Sequence, residues 1–394
     1  MKLVGNILWV MAYELRSILR SLPVLLVMGG GVFLYGLLYN YMYSPNVLRD
    51  VPVVVVDQSR TSLSRHYLRL LDATPQVSVH QHSADMYEAL QYMKHGDVYG
   101  ILFLPADFDE RVGRGEEAVF LTHNTTMTFL YDAALQEASS SALLALNDVV
   151  RPRQLVFLNP NAVPSIVATR SMGVQGVAMF NPLGGYADYL IPGVLMVILF
   201  QTLLMVISMR CGREAELRMR PLLPFRNSGL WGRGSVAIVV GKALVYVGLY
   251  SLFSIFLLGL LPLVFNLPHL ADAWLLVQIL IPYLLGTAFF GLACSPFFKD
   301  SDAPLLLIAF FSVGLLFLSG ISYPLELMPW PWRVLHCLLP APVGVLAFVK
   351  ANSMGASLAD IQGEWLLLWL QCVVYFCLAC MAYRKILSSF HTKV

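Results

Sequence analysis

A short segment after a valine-rich run carries residue types that could do hydrolytic chemistry. Asp57 directly follows residues 51–56, and an aspartate at the end of a buried strand can act as the nucleophile in phosphoryl transfer. Enzymes of that kind place an acidic proton donor two residues later, where this chain has Ser59. The alternative is a turn that leads into a helix and caps it, and the sequence favours this turn over catalysis.

A glycine–lysine pair later in the chain raises the question of nucleotide binding. Gly241 and Lys242 are followed by Ala243, and position 236, where a phosphate-binding loop requires a further glycine, is Val236. The sequence therefore predicts no cofactor in this chain. ATP and its Mg²⁺, if they are used, are expected on a partner protein.

Two further pairs have spacings that suit metal or redox chemistry. His80 and His82 would project from the same side of a strand, but two ligands do not complete a metal site, and a solvated strand face is the alternative. Cys377 and Cys380 have the spacing of a redox dithiol, yet they lie in an apolar segment where a thiolate is poorly solvated. The sequence favours neither a metal site nor a redox site.

Charged residues crowd one loop between two apolar segments. Residues 213–220 are rich in arginine and glutamate and precede Pro221. Such a cluster could form a short helix that docks on another protein. The alternative is the general excess of lysine and arginine that cytoplasmic loops of membrane proteins carry.

The elements that must position these residues are mostly membrane helices. Apolar residues make up 58% of the 394 residues and charged residues only 13%, which is unusual for a water-soluble domain. A membrane-spanning helix needs about 20 apolar residues. Six segments are long enough: residues 22–43, 189–209, 236–265, 274–298, 304–322 and 365–383. No charged residue or histidine lies in the middle of any of them, so the chain is unlike an ion-coupled pump.

The distribution of basic residues predicts the orientation. Arginines crowd the loop 210–235 and basic residues follow the last span, whereas the connection 265–274 has none. Both termini are therefore expected in the cytoplasm and residues 44–186 outside. The first span, residues 22–43, lacks a cleavage site and is interpreted as a retained anchor rather than a signal peptide.

Residues 1–21 repeat apolar side chains at helical spacing, with basic residues on another face. This pattern predicts an amphipathic interfacial helix, and a simple extension of the first span is the alternative. Residues 44–186 alternate strand and helix patterns and predict a small mixed α/β domain. Its strands are expected at residues 51–56, 77–80, 98–104 and 118–122, and its last helix at residues 128–149.

The segment 323–363 contains five prolines among too few apolar residues for another complete span. It predicts a pair of short helices that dip into the outer leaflet, with their broken ends covered by neighbouring helices.

Four short stretches together resemble a known family. They are Glu14-Leu15-Arg16 with Arg20-Ser21-Leu22-Pro23, Asn181-Pro182 with Tyr189-Leu190-Ile191-Pro192-Gly193, Arg213-Glu214-Ala215-Glu216 with Gly241-Lys242, and Ser319-Gly320 with Pro324-Leu325-Glu326-Leu327-Met328-Pro329. In this order they resemble the type-2 permease subunits of ATP-binding-cassette (ABC) exporters, in the subgroup with a large extracytoplasmic domain between the first two spans. The likeness covers nearly the whole chain.

The resemblance implies partners and site residues. The partners are two copies of a cytoplasmic ABC ATPase subunit, a second permease that is identical or paralogous, membrane lipids and a periplasmic adaptor. Residues implied in coupling to the ATPase are Glu14, Arg16, Arg20, Arg213, Glu214, Glu216, Arg218 and Lys242. Those implied in the re-entrant outer segment are Pro324, Glu326, Pro329 and Pro340. Many relatives have a Gly-Thr pair where this chain has Leu217-Arg218-Met219-Arg220, which leaves the choice of ATPase open.

The predicted fold is an α-helical polytopic membrane protein with six transmembrane helices and an inserted mixed α/β extracytoplasmic domain. Residues 187–394 would supply the last five spans. The expected function is the permease subunit of an ATP-driven exporter in the inner membrane, itself no enzyme, which moves an amphipathic or hydrophobic substrate such as a lipid or drug-like molecule. Two alternatives are a non-transporting scaffold or receptor and an exported phosphatase of the haloacid-dehalogenase type that uses Asp57 and Mg²⁺. No nucleic-acid partner is expected.

Overall fold

The computed structural model divides the chain into two compact units. Met1–Ser44 with Ala187–Val394 form the membrane unit, and Pro45–Tyr186 form the inserted domain. The structure describes residues 2–42, 49–114, 118–123, 134–146, 186–217, 222, 233–267, 269–301, 308, 311, 314–321, 323 and 325–389.

The helices and strands follow one another in three groups. The first two helices are α1 (Lys2–Leu19) and α2 (Leu22–Met42). The inserted domain contains β1 (Val51–Asp57), α3 (Ser62–Asp72), β2 (Val77–Ser83), α4 (Met86–His95), β3 (Gly100–Leu104), α5 (Phe108–Arg114), β4 (Phe120–His123) and α6 (134–146). The remaining helices are α7 (Tyr186–Glu216), α8 (Arg233–Ser254, continued by Ile255–Leu260 and Leu261–Val264), α9 (Ala273–Ala293), α10 (Trp330–Leu338), α11 (Pro340–Met354) and α12 (Gln362–Ser389).

Five of the described helices are long and apolar enough to cross a membrane: α2, α7, α8, α9 and α12. They coincide with five of the six predicted spans. The remaining predicted span, residues 304–322, falls largely outside the described residues. The pair α10 and α11, bent by 88° at its break, would be a sixth span or a re-entrant loop.

The break between α10 and α11 arises because Pro340 has no backbone N–H to continue the α10 hydrogen-bond pattern. The carbonyl groups left at the end of α10 are bound by α12. The Gln371 side-chain amide donates to the carbonyls of Cys337, at 2.8 Å, and Leu339, at 3.3 Å, and Tyr375 donates to the carbonyl of Leu338. A neighbouring helix therefore covers the broken end of α10, as predicted, while the position of the pair in the outer leaflet stays a prediction.

The beginning of this segment is held by Arg333, whose guanidinium donates to the carbonyls of Met328, at 2.7 Å, and Glu326. Pro329 is the residue that precedes α10. Pro324 lies outside the described residues.

Helix α7 is the centre of the membrane unit. In its most apolar stretch 83% of the residues are buried, compared with 22% in α2 and 28% in α12. Helix α9 packs closely on both α7 and α11. The Tyr283 hydroxyl donates to the Met196 carbonyl at 2.6 Å, and a Cβ atom on Gly344 would lie 2.1 Å from the Tyr283 ring.

The inserted domain is built on a four-stranded sheet in the order β2-β1-β3-β4. Strand β1 runs parallel to β2 and β3, and β3 pairs antiparallel with β4. The valines of β1 are buried on both faces, because Val53 and Val55 face a core formed with α3, α5 and α6, while Val54 and Val56 face one formed with α4. A run of valines without alternation is typical of such a strand.

The four strands and a final helix lie where the sequence predicts them, with shifts of a few residues at their ends. Helix α6 is described over residues 134–146, within the predicted 128–149. Strand β2 extends three residues past the predicted end at position 80.

The turn after β1 has the geometry of a helix cap. The Asp57 carboxylate accepts hydrogen bonds from the Arg60 backbone N–H at 3.0 Å and from the Ser64 hydroxyl at 2.7 Å. Thr61 caps α3 through reciprocal bonds with Ser64. No group of three or more His, Cys, Asp or Glu side chains in the described part of the chain is placed to hold a metal ion. The geometry therefore favours the capping interpretation of Asp57 over the nucleophile.

Candidate functional site

Four charged side chains meet in the interior of the membrane unit, where α1, the end of α7 and the beginning of α8 come together. They are Glu14 from α1, Arg210 and Glu214 from α7, and Lys242 from α8. Arg210 is 4% exposed and the other three are fully buried. We call this group the buried charge cluster.

Each cation of the cluster lies near both carboxylates. The Lys242 Nζ atom is 2.6 Å from Glu214 Oε1 and 3.2 Å from Glu14 Oε2. The Arg210 guanidinium is 3.3 Å from Glu14 Oε1 and 3.8 Å from Glu214 Oε1. Two positive and two negative charges balance, which is the condition under which ionised groups are tolerated away from water.

Aromatic and thiol groups line the cluster. The Tyr246 hydroxyl, one turn after Lys242 on α8, donates a hydrogen bond to Glu14 Oε1. Cys211 and the Tyr383 hydroxyl of α12 are in contact at 3.5 Å, and both side chains are buried. Glu214 Oε2 and Arg210 Nη2 are buried and have no hydrogen-bond partner among the described residues, so the cluster is held by charge attraction more than by complete hydrogen bonding.

Helical spacing explains why Glu14 points inward. Val10, Glu14 and Ile18 recur every four residues and are the fully buried side chains on the inner face of α1. Gly241 allows this face to approach α8, because a Cβ atom there would lie 2.9 Å from Val10 Cβ and 3.0 Å from the Ile7 carbonyl oxygen. Lys242 follows Gly241 immediately, so the close approach also brings its ammonium group to Glu14.

The surroundings of Glu14 favour its ionised form. Burial raises the pKa of the Glu14 carboxyl, but the charges of Lys242 and Arg210 and the hydrogen bond from Tyr246 outweigh burial and lower the pKa below its ordinary value. The two cations therefore favour the carboxylate form of Glu14.

The structure separates the predicted coupling residues into two classes. Glu14, Glu214 and Lys242 belong to the buried cluster and offer no surface to a partner. The side chains of Arg16, Arg20, Arg213 and Glu216 are exposed. Arg218 lies outside the described residues. Arg213 and Glu216 form an ion pair at 2.7 Å.

The sequence allowed a short docking helix over residues 213–220. In the structure residues 213–216 are the last turn of α7. Residues 210–216, predicted as part of the loop 210–235, are therefore helical, because arginine, glutamate and alanine favour a helix. This last turn also holds the segment after α9. Glu216 accepts hydrogen bonds from the Ser301 backbone N–H at 3.1 Å and hydroxyl at 3.0 Å.

Sequence reasoning missed the pairing partners Arg210 and Tyr246. Arg210 was counted only among the arginines that predict orientation, and Tyr246 lies in a uniformly apolar span. One signal in the sequence indicated that Glu14 must have partners. Glu14 lies four residues from both Val10 and Ile18 on an apolar stripe, where an unpaired carboxylate would be unfavourable.

Comparison with known proteins decides the family. The family model described as "ABC-2 family transporter protein" matches residues 21–381. The chain belongs to the ABC-2 transporter family. It is also similar to the linearmycin resistance permease protein LnrN of Bacillus subtilis, with 21% identity over 395 residues, which covers 91% of this chain and 94% of that protein.

Membership of the ABC-2 family confirms the interpretation as a type-2 ABC permease. The chain is a multi-pass membrane protein and a transport permease subunit. Membership of this family implies an ABC ATPase partner and dimerisation of the permease.

Proposed function

We propose that this ABC-2 permease is the transmembrane subunit of an ATP-driven exporter in the inner membrane. Two ATPase subunits hydrolyse ATP in the cytoplasm, and a second permease, identical or paralogous, completes the pathway. Both termini face the cytoplasm, and the inserted domain faces outward, where it binds a periplasmic adaptor. The substrate is an amphipathic or hydrophobic molecule, such as a lipid or a drug-like compound.

The observation that carries this proposal is the junction of α1, α7 and α8 at the buried charge cluster. Exposed Arg16 is two residues from Glu14, and exposed Arg213 is three residues from Arg210. Each is therefore within one helical turn of the cluster, on helices that the cluster joins. A partner bound at these arginines would contact helices that the ion pairs join at one junction. An ATPase that drives a permease needs such a contact in order to move the helices.

The surfaces of the spans support an apolar or amphipathic substrate. Large apolar side chains are exposed along α2 and α12, including Phe33, Leu37, Val373 and Met381. Polar groups in the middle of the described spans are few and are mostly bonded internally, as Thr202 is to the Ile198 carbonyl at 2.7 Å. The name of LnrN links that relative to resistance, which fits the removal of a compound from the cell.

Purification of the complex tests the dependence on a partner ATPase. The chain is isolated from its native membrane in mild detergent, and stoichiometric companions are identified by mass spectrometry. We expect an ABC ATPase subunit to copurify with the native chain and to be reduced at least about tenfold in Arg213→Glu, because reversal of an exposed contact charge costs a few kcal/mol at an interface.

Arg114→Glu in the inserted domain is the matched control. Arg114 pairs with Glu110 at 3.1 Å, and its side chain is 63% exposed. Arg213 pairs with Glu216 at 2.7 Å, and its side chain is 60% exposed. The control should retain the ATPase. Recovery of the chain without any nucleotide-binding companion would overturn the proposal in favour of the membrane scaffold.

Transport in inside-out membrane vesicles tests the direction. Vesicles from cells that contain the permease and its ATPase should accumulate doxorubicin, an amphipathic fluorescent compound, when ATP is added, and vanadate should abolish the accumulation. An exporter moves its substrate into such vesicles because their cytoplasmic face is outside. ATP-dependent loss of preloaded doxorubicin from the vesicles would reverse the proposed direction.

A further inference from the structure

The seam between α1 and α8 combines a close backbone approach with an ionic bond. At Gly241 the two helices approach closely enough that a Cβ atom would be 3.0 Å from the Ile7 carbonyl oxygen. One residue later, Lys242 reaches Glu14 at 3.2 Å, and one turn further Tyr246 donates to the same carboxylate. Side chains on two successive turns of α8 therefore hold one buried carboxylate of α1.

Sliding of α1 along α8 would separate Glu14 from Lys242. Both side chains are buried, so water could not solvate the separated charges. All four charged side chains are at least 96% buried, and attraction between charges strengthens as the surrounding dielectric constant falls. Glu14 has cations from two helices, Arg210 on α7 and Lys242 on α8, so a shift against either helix weakens a charge contact. The arrangement resists relative motion in a way that apolar packing alone does not.

The end of α7 extends this assembly to the segment after α9. A Cβ atom on Gly212 would lie 2.0 Å from the Asp300 carbonyl oxygen, and Glu216 binds Ser301 through two hydrogen bonds. The segment 298–301 therefore rests on the same turn of α7 that supplies Arg210 and Glu214 to the cluster.

We propose that Glu14, Arg210 and Lys242 are positioning residues of the transport cycle, which lock α1, the end of α7 and the start of α8 into one rigid body. This inference rests on the proposed function, because the partner ATPase is what moves this rigid body. Force applied at α1 or at the end of α7 then moves both together. Glu214 supplies the second carboxylate that balances Lys242 but contributes no bond to α1.

Distance measurement between spin labels tests the rigid body. Labels are placed on Leu8→Cys in α1 and Leu244→Cys in α8, two exposed positions, after exposed Cys337 and Cys377 are replaced by alanine. Double electron–electron resonance is recorded on the permease–ATPase complex in nanodiscs, without nucleotide and after trapping with ADP and vanadate. In the native cluster we expect one narrow distance that is the same in both states.

Two double variants test whether the ionic bond to α1 matters or only the balance of buried charge, because both variants keep one positive and one negative charge in the cluster. Glu14→Gln with Lys242→Met removes the ionic bond to α1, whereas Glu214→Gln with Lys242→Met keeps Glu14 bound to Arg210 and Tyr246. We expect the first to broaden the α1–α8 distance distribution and to lower ATP-driven doxorubicin uptake per ATP hydrolysed at least about fivefold. The second loses only the Lys242 bond to α1, so it should change both measurements less than the first, because Arg210 and Tyr246 still bind Glu14. Lys350→Met with Glu364→Gln, which removes a charge-balanced pair outside the cluster, should behave as the native chain.

The outcomes distinguish this inference from the proposed function. Failure to recover an ATPase with the native chain contradicts the proposed function. A complex that contains the ATPase but changes its α1–α8 distance on trapping overturns the lock, as does a Glu14→Gln, Lys242→Met variant with a narrow distance and native coupling.

Discussion

Replacement of Lys242 by methionine is expected to destabilise the membrane unit by about 3–5 kcal/mol, because it leaves two buried carboxylates with one cation. Methionine fills a similar volume, so the loss arises from charge and not from a cavity. Thermal unfolding in detergent and the amount of folded protein in the membrane measure the effect. This is one of the two largest effects we expect from a single substitution in the described residues.

The same substitution at Lys350 is the matched control. Lys350 binds Glu364 at 2.7 Å, but these side chains are 37% and 18% exposed, so Lys350→Met should cost no more than about 1 kcal/mol. Glu214→Gln in the Lys242→Met chain should restore most of the lost stability by restoring charge balance. Equal losses for Lys242→Met and Lys350→Met would show that the cluster does not hold its charges in a low-dielectric interior.

Substitution of Gly212 by alanine is expected to displace the segment 298–301 from α7. The new Cβ would be 2.0 Å from the Asp300 carbonyl oxygen and 2.4 Å from its carbonyl carbon. Backbone atoms cannot rotate away as a side chain can, so the helix and the segment must separate. Overpacking of this kind costs about 1–3 kcal/mol, and the hydrogen bonds between Glu216 and Ser301 should break as well.

Hydrogen–deuterium exchange checks this prediction at the level of single segments. Peptides that contain Ser301 should exchange faster in Gly212→Ala, and the melting temperature should fall. Gly248→Ala in α8 is the control, since no described atom outside the neighbouring backbone of α8 lies within 4 Å of a Cβ at that position and alanine favours a helix by up to about 1 kcal/mol. Unchanged exchange at Ser301 would mean that α7 and this segment are not in contact in solution.

Much of the fold could be predicted because its signals are local. The five candidate spans follow from length and hydropathy, which depend on sequence windows alone. Strands β1, β2 and β3 follow from short runs of β-branched residues between turn signals. The pair of short helices follows from the five prolines of the segment 323–363, and the structure places the break between them at Pro340. Each of these predictions uses residues that are near one another in the chain.

The candidate site could be predicted only in part, because its bonds are not local. Glu14 is 196 residues from Arg210 and 232 from Tyr246, and no periodicity connects positions so far apart. The resemblance to ABC permeases pointed to Glu14, Glu214 and Lys242 together. It assigned them to coupling with the ATPase, and the structure shows that they are buried and form ion pairs with one another. Their role in coupling stays a prediction.

The exposed arginines show the opposite limit. Arg16, Arg20 and Arg213 were predicted for the same role and are accessible to a partner. Sequence alone could not separate Arg213 from Arg210, which belongs to the same arginine-rich stretch but is 4% exposed. Arg213 lies three residues after Arg210 on α7, and its side chain faces solvent instead of the junction with α1 and α8.

The sequence by itself determined that this protein is a polytopic membrane protein with an inserted α/β domain, since apolar length and strand patterns are properties of short segments that act independently. The tertiary structure decided which charges are buried, because burial depends on which helices meet. The absence of a side chain at Gly241 allows α1 and α8 to approach, and this contact places Lys242 beside Glu14. The chemistry of the junction therefore arose from packing and not from any motif.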